Sequence, residues 1–111
     1  MLQAMTANLE RYMDLLSARQ KLSASNIANA DTPGYQTKDV DFQQEFMSMV
    51  NGEHPQTINA QGLPDKPDGN NVNIDREARM LAENAMRFNV ASNLLRGTIN
   101  SVKEALQGGT S

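Results

Sequence analysis

The sequence contains no cysteine and no tryptophan, and aromatic residues make up only 5% of its 111 positions. Without cysteine the chain can form no disulfide, no reactive thiolate and no cysteine-based zinc or iron–sulfur site. Hydrophobic residues account for 39% of the chain, and a protein of this length can form one domain at most. Because large core-forming side chains are scarce, we expect an isolated monomer to be weakly stable.

Long apolar runs are also missing. No stretch of about 20 apolar residues occurs, and Glu10, Arg11 and Asp14 interrupt the first helix-like segment, which excludes a membrane helix and a cleavable signal peptide. The net charge is −3, and neither sign forms a run that could follow a phosphate backbone. Nucleic-acid binding is therefore not expected. On these absences alone the chain would be assigned to the cytoplasm.

Apolar residues near the N-terminus recur at alternating spacings of three and four. This spacing predicts a helix over residues 1–30 with one apolar stripe. The stripe is formed by Leu2, Met5, Leu9, Tyr12 and Leu16. The second half of the helix continues the stripe poorly, because Arg19, Ser23 and Asn26 fall at positions where apolar groups are expected.

A strong stop signal follows this helix. Pro33 disfavours helical backbone at Thr32, and Gly34 readily supplies the positive φ of a type II turn. The composition then changes to Gln, Asn, Gly, Pro and Asp, so we expect residues 31–73 to form a polar middle segment. A short helix is plausible near residues 41–50, where apolar residues are spaced by four, three and one.

A second long helix is predicted over residues 74–107, with Asp75 as its cap and Gly108–Gly109 as its stop. Ser92 is the only polar residue at the eight positions of its four–three alternation. The apolar positions are Leu81, Ala85, Phe88, Leu95, Ile99, Val102 and Leu106. Gly97 lies within this helix, where glycine costs about 1 kcal/mol of helix stability relative to alanine. Close contact with a neighbouring helix would explain its presence.

Together these segments predict an all-α fold in which two long amphipathic helices pack as a coiled-coil-like hairpin. The polar, largely irregular middle segment joins them, and the chain forms a single domain overall. The sustained apolar stripes also invite packing between chains.

No residue pattern supports catalysis or metal binding. His54 stands in a loop-like stretch without nearby metal ligands, and no G-x-S-x-G nucleophile motif occurs. Residues 65–75 resemble a calcium loop in composition but do not fit one. With Gly69 at the invariant sixth place, the first and third ligand places would be Pro64 and Lys66, which cannot supply carboxylate ligands. The carboxylates of Asp39, Asp41 and Glu45 have nothing predicted to desolvate them and are interpreted as a solvated acidic face. We therefore predict no catalytic, cofactor or metal site.

One segment calls for a specific contact. Asn26 and Asn29 place two carboxamides on one helix face before a tight turn, where they could form intersubunit or turn-closing hydrogen bonds. The predicted assembly signature is Asn26, Asn29, Thr32, Pro33, Gly34 and Tyr35. Residues 26–35, Asn-Ile-Ala-Asn-Ala-Asp-Thr-Pro-Gly-Tyr, resemble the signature of the flagellar rod and hook proteins, the axial family of the bacterial flagellum. Residues 69–77 and 81–88 are similar to the start of that family's C-terminal helix.

Within this family residues 30–42 most resemble a member of the proximal rod, and the short middle segment agrees with this. The resemblance implies a structural subunit without enzymatic activity, located in the rod at the cell envelope, in the periplasmic space. It also implies export through the flagellar type III apparatus without a cleaved signal peptide. Implied partners are copies of itself, other rod proteins, the adaptor FliE and the MS-ring region, with no cofactor, nucleic acid or small-molecule substrate.

Two other classes of function remain open from the sequence. A soluble coiled-coil adaptor or flagellar export chaperone would also use two amphipathic helices, but it would form a discrete dimer. A small wall-degrading enzyme would need desolvated carboxylates in a cleft. The polar middle segment can hardly build such a cleft.

Overall fold

The structure is a computed structural model that describes residues 2–50 and 56–108, with side chains described for residues 3–48 and 56–108. The molecule is elongated, with extents of 70 × 26 × 18 Å. Its elements in chain order are α1 (Leu2–Ala28), β1 (Lys38–Asp39), α2 (Phe42–Val50), β2 (Ile58–Asn59) and α3 (Ile74–Gly108). The predicted fold class is confirmed, since α1 and α3 pack together as a helical hairpin and the middle segment is short and mostly irregular.

Helix α1 has 27 residues and is about 40 Å long. In its centre Leu15 and Leu16 are fully buried. In its second half Ser23 and Asn26 are each only 1% exposed although they are polar. Two of the three positions that interrupt the predicted stripe are therefore inside the protein, where polar groups need hydrogen-bond partners.

The turn after α1 has the predicted geometry. The Tyr35 amide donates to the Thr32 carbonyl at 3.2 Å, and Gly34 has a φ of 75°, which confirms the type II turn. Gly69 lies against this turn. A Cβ on Gly69 would sit 3.3 Å from the Gly34 Cα, so the backbone of the middle segment approaches the turn closely.

The middle segment contains two short elements. Strands β1 and β2 pair antiparallel, with Lys38 opposite Asn59 and Asp39 opposite Ile58. Helix α2 packs on α1 through Tyr12, whose ring meets the rings of two phenylalanines edge to face. The centroid distances are 5.6 Å to Phe42 and 6.4 Å to Phe46.

Helix α3 has 35 residues and is about 52 Å long. Asn73 is its cap, because the Asn73 Oδ1 accepts a hydrogen bond from the Arg76 amide at 3.0 Å. The prediction that Asp75 caps this helix was wrong. Asp75 lies in the first turn, where a carboxylate is favoured by the helix dipole. Among the described residues, no helix combines the length and the apolarity that crossing a membrane requires.

Candidate assembly site

Asn26 joins the last turn of α1 to the segment that follows it. Its Nδ2 donates to the Lys38 carbonyl at 2.8 Å. Its Oδ1 accepts from the Lys38 amide at 3.0 Å and from the Tyr35 hydroxyl at 2.9 Å. The side chain of Asn26 is therefore bonded at both ends within the chain. It holds β1 and Tyr35 against the end of α1.

Asn29 closes the turn. Its Nδ2 donates to the Ser25 carbonyl at 2.9 Å, and its Oδ1 accepts from the Thr32 hydroxyl at 3.1 Å. Both signature amides thus make turn-closing hydrogen bonds. Thr32, Pro33 and Gly34 are exposed. Contact of this turn with another chain stays a prediction, and these three residues are the ones that could make it.

Two buried amides from the middle segment complete the turn region. The Asn70 Nδ2 donates to the carbonyls of Asn29 at 2.9 Å and Thr32 at 2.8 Å. The Asn71 Oδ1 accepts from the Thr37 amide at 2.6 Å and from its hydroxyl at 2.8 Å. Both amides were missed in the sequence, where residues 65–75 were compared with a calcium loop, which they do not match. The available signal was the pair of amides itself, but their partners lie more than 30 residues away.

A buried network of charges lies beside these amides. Asp39 receives hydrogen bonds from the Arg19 Nε at 3.1 Å and from an Arg76 nitrogen at 3.1 Å. Arg76 also pairs with Glu77 at 2.6 Å, and Glu77 is fully buried. The network connects α1, β1 and α3. Charged side chains are rarely buried unless they are paired in this way.

The interpretation of a solvated acidic face was therefore wrong for two of its three carboxylates. Asp39 and Glu45 are each 7% exposed, because Asp39 is held by two arginines and Glu45 accepts from the Gln56 amide at 2.8 Å. Only Asp41 is exposed, and it caps α2 through a bond from the Gln44 amide. Pairing between distant segments supplied the desolvation that the local sequence did not predict.

We call the set Asn26, Asp39, Asn70 and Asn71, with the partners given above, the polar clamp. It lies where the end of α1, the middle segment and the start of α3 meet. The hydrogen-bonding groups of the three asparagine side chains and of Asp39 are used within the chain. The clamp fixes the shape of this end of the molecule and offers little free polar chemistry to a ligand or a substrate.

The predicted apolar stripe divides between buried and exposed positions. The buried or half-buried members are Leu9, Tyr12, Leu16, Leu81, Leu95 and Val102. The exposed members are Met5, Ala85, Phe88, Ile99 and Leu106. The side chain of Leu2 lies outside the described side chains. One hairpin therefore covers only part of its own stripe.

The described residues contain no group of three acidic or histidine side chains placed to hold a metal ion. His54 lies outside the described residues. About 20 Å along α3 from its start, hydrogen bonds to Tyr12 and Glu83 raise the pKa of Arg87, which keeps a fixed positive charge beside the exposed apolar residues of α3. The exposed apolar surface, rather than any reactive cluster, is what this geometry presents to other molecules.

Comparison with known proteins identifies the family of this chain. Residues 13–36 match the family described as "Flagella basal body rod protein". The chain is 34% identical to the flagellar basal body rod protein FlgB of Escherichia coli (strain K12), over 90% of this chain and 91% of the relative. It is 32% identical to that of Salmonella typhimurium over the same shares of both chains. It is 30% identical to that of Bacillus subtilis (strain 168), over 92% of each chain.

These similarities extend across both long helices and the clamp, not only the signature turn. They give no support to the soluble adaptor, the export chaperone or the wall-degrading enzyme. The chain belongs to the FlgB family of flagellar basal body rod proteins, and it is a structural protein rather than an enzyme.

Proposed function

We propose that this chain is a subunit of the proximal rod that joins its neighbours by helix packing and so becomes part of the drive shaft that transmits torque. One observation carries the proposal. Apolar side chains remain exposed along α3 after it has packed on α1, among them Val90 at 59%, Leu94 at 56% and Leu106 at 68%. Exposed apolar surface of this extent marks a contact with other proteins.

Family membership supports assembly with other rod components in the flagellar basal body. The finer parts of the proposal are contact with the adaptor FliE and the MS-ring region, a position in the periplasmic space, and export by the type III apparatus without a cleaved signal peptide. The polar clamp suits a shaft subunit, because buried charge and amide pairs favour one conformation over others.

Replacing Phe88 with aspartate is expected to abolish incorporation into the basal body. Phe88 belongs to the predicted stripe and is 39% exposed, so a carboxylate there would be left without a partner in an apolar contact. Leu95→Asp should act in the same way. The measurement is swimming motility, together with the amount of the chain in isolated basal bodies, in cells carrying the variant as their only copy.

Two controls separate assembly from folding. Asn100→Asp changes an exposed position on the same helix and should leave motility intact, as should His54→Ala. Circular dichroism of purified Phe88→Asp should show the same helix content as the unaltered protein. Normal swimming by the Phe88 variant would contradict the proposed function.

A further inference from the structure

An open trough runs along the hairpin, with α1 as its floor and α2 and α3 as its walls. It has a volume of about 520 Å³ and is lined mainly by apolar side chains of all three helices. Among the described residues, no Cα of α2 lies within 8 Å of a Cα of α3, so the two walls stand apart. Four exposed apolar side chains define the trough: Met5, Met86, Val90 and Leu94.

A second apolar surface lies on the other side of α3. Val90 and Ile99 are nine residues apart, which is two and a half helical turns, so they point from opposite sides of the helix. Ala91, only 3% exposed, faces α1 between them. Phe88, Ile99 and Leu106 share the side of Ile99 and are 39%, 44% and 68% exposed. We call these three residues the ridge.

A single partner helix cannot cover both surfaces. The trough side chains are 49% to 70% exposed, which for residues of this size is roughly 400 Å² of apolar surface, enough to mark an interaction site on a monomer. It is about half of what one partner contributes to an interface of standard size. Each subunit therefore needs two different contacts, one at the trough and one at the ridge.

Gly97 supports close approach of a helix to the trough. It lies two turns after Val90, on the same side of α3. A Cβ at Gly97 would meet nothing within 4 Å, and the surrounding space of about 360 Å³ is also lined by Met5 and Leu94. No contact within the described chain explains this glycine, which costs about 1 kcal/mol in a helix. Close approach of the backbone of another molecule would explain it.

We propose that the trough of one copy of this chain receives the ridge of a second copy. This inference rests on the proposed function and names the surfaces that perform it. The ridge spans about 27 Å from Phe88 to Leu106, and the trough side of α3 spans about 16 Å from Met86 to Gly97, so roughly three turns of the ridge fill it. Because the two surfaces differ, the contact is head-to-tail and adds subunits without closing a dimer.

The absence of native cysteine allows a direct test. Cells would carry Val90→Cys, Ile99→Cys or both in one chain, as the only copy. Basal bodies isolated from them would be treated with a bismaleimide that spans about two helical turns. The double variant should give covalent dimers and higher oligomers on a denaturing gel, at least tenfold more than either single variant. Gln61→Cys with Val90→Cys is the matched control, since Gln61 is exposed in the middle segment and belongs to neither surface, and should give none.

Two results would overturn the inference. Dimers from either single variant, at the level of the double variant, would mean that like surfaces meet. If cells with the double variant swim but form no crosslinked oligomer, the rod role holds without this contact. Normal motility of cells with Phe88→Asp would instead contradict the proposed function. Should the first pair impair swimming before crosslinking, Leu94→Cys with Leu106→Cys tests the same two surfaces and must give the same ladder.

Discussion

Replacing Asp39 with asparagine is expected to lower the free energy of unfolding by about 3 kcal/mol, the low end of the range for breaking a buried ion pair. The carboxylate accepts from Arg19, Arg76 and the Val40 amide, and its side chain is 10% exposed. An asparagine amide would turn a donor toward two guanidinium groups. In a chain with few large buried side chains, this loss is a large share of the total stability.

The measurement is urea-induced unfolding followed by far-ultraviolet circular dichroism. Asp41→Asn is the matched control, because it makes the same chemical change two residues away, at an exposed position where asparagine caps a helix as well as aspartate does. It should change stability by less than about 0.5 kcal/mol. Equal unfolding midpoints for the two variants would show that Asp39 makes no special contribution.

The parts of the fold that could be predicted from the sequence are those that depend on neighbours along the chain. Spacings of three and four gave the two long helices, and Pro33 with Gly34 gave the turn. The cap of α3 was assigned two residues too late, because Asn73 and Asp75 are both good capping residues and local sequence does not choose between them.

The polar clamp could not be predicted, because the bonds that hold its segments together join residues 9 to 41 positions apart in the sequence. Asp39 meets Arg76 across 37 positions, and Asn70 meets Asn29 across 41. Ser23 and Asn26 did carry a signal, since polar residues at stripe positions must either be exposed or find partners. A single sequence does not say which partners, so Asp39 and Glu45 were interpreted as solvated.

The two ends of the molecule therefore differ in how far their side chains find partners within the chain. At the clamp end, polar groups from three segments satisfy one another and fix the relative positions of α1 and α3. Toward the other end, around Met5, Leu94 and Leu106, apolar side chains stay exposed at 49%, 56% and 68%. A subunit that is rigid at one end and incomplete at the other can present its apolar surfaces in a defined geometry before any neighbour is bound.

Replacing Asn26 with leucine is expected to destabilise the chain by about 3 kcal/mol or more. The change removes one donor and one acceptor group and leaves the Lys38 amide, the Lys38 carbonyl and the Tyr35 hydroxyl without their partner. Each buried polar group left unpaired costs about 1 to 3 kcal/mol. Leucine is the better helix former, but that gain is only a few tenths of a kcal/mol and cannot offset the loss.

Asn29→Leu is the control with the same change at the neighbouring signature position. Asn29 is only half-buried, and the Ser25 carbonyl that it bonds also accepts the Asn29 amide, so this carbonyl keeps a partner in the variant. We expect Asn29→Leu to cost about 1 kcal/mol. Urea unfolding compares the two, and incorporation into basal bodies should fall in the same order, because a loosened clamp no longer holds α1 and α3 in the geometry that assembly requires. If both variants unfolded at the urea concentration of the unaltered protein, the signature amides would not be holding the turn, and an ordinary polar helix end would explain residues 26–29 equally well.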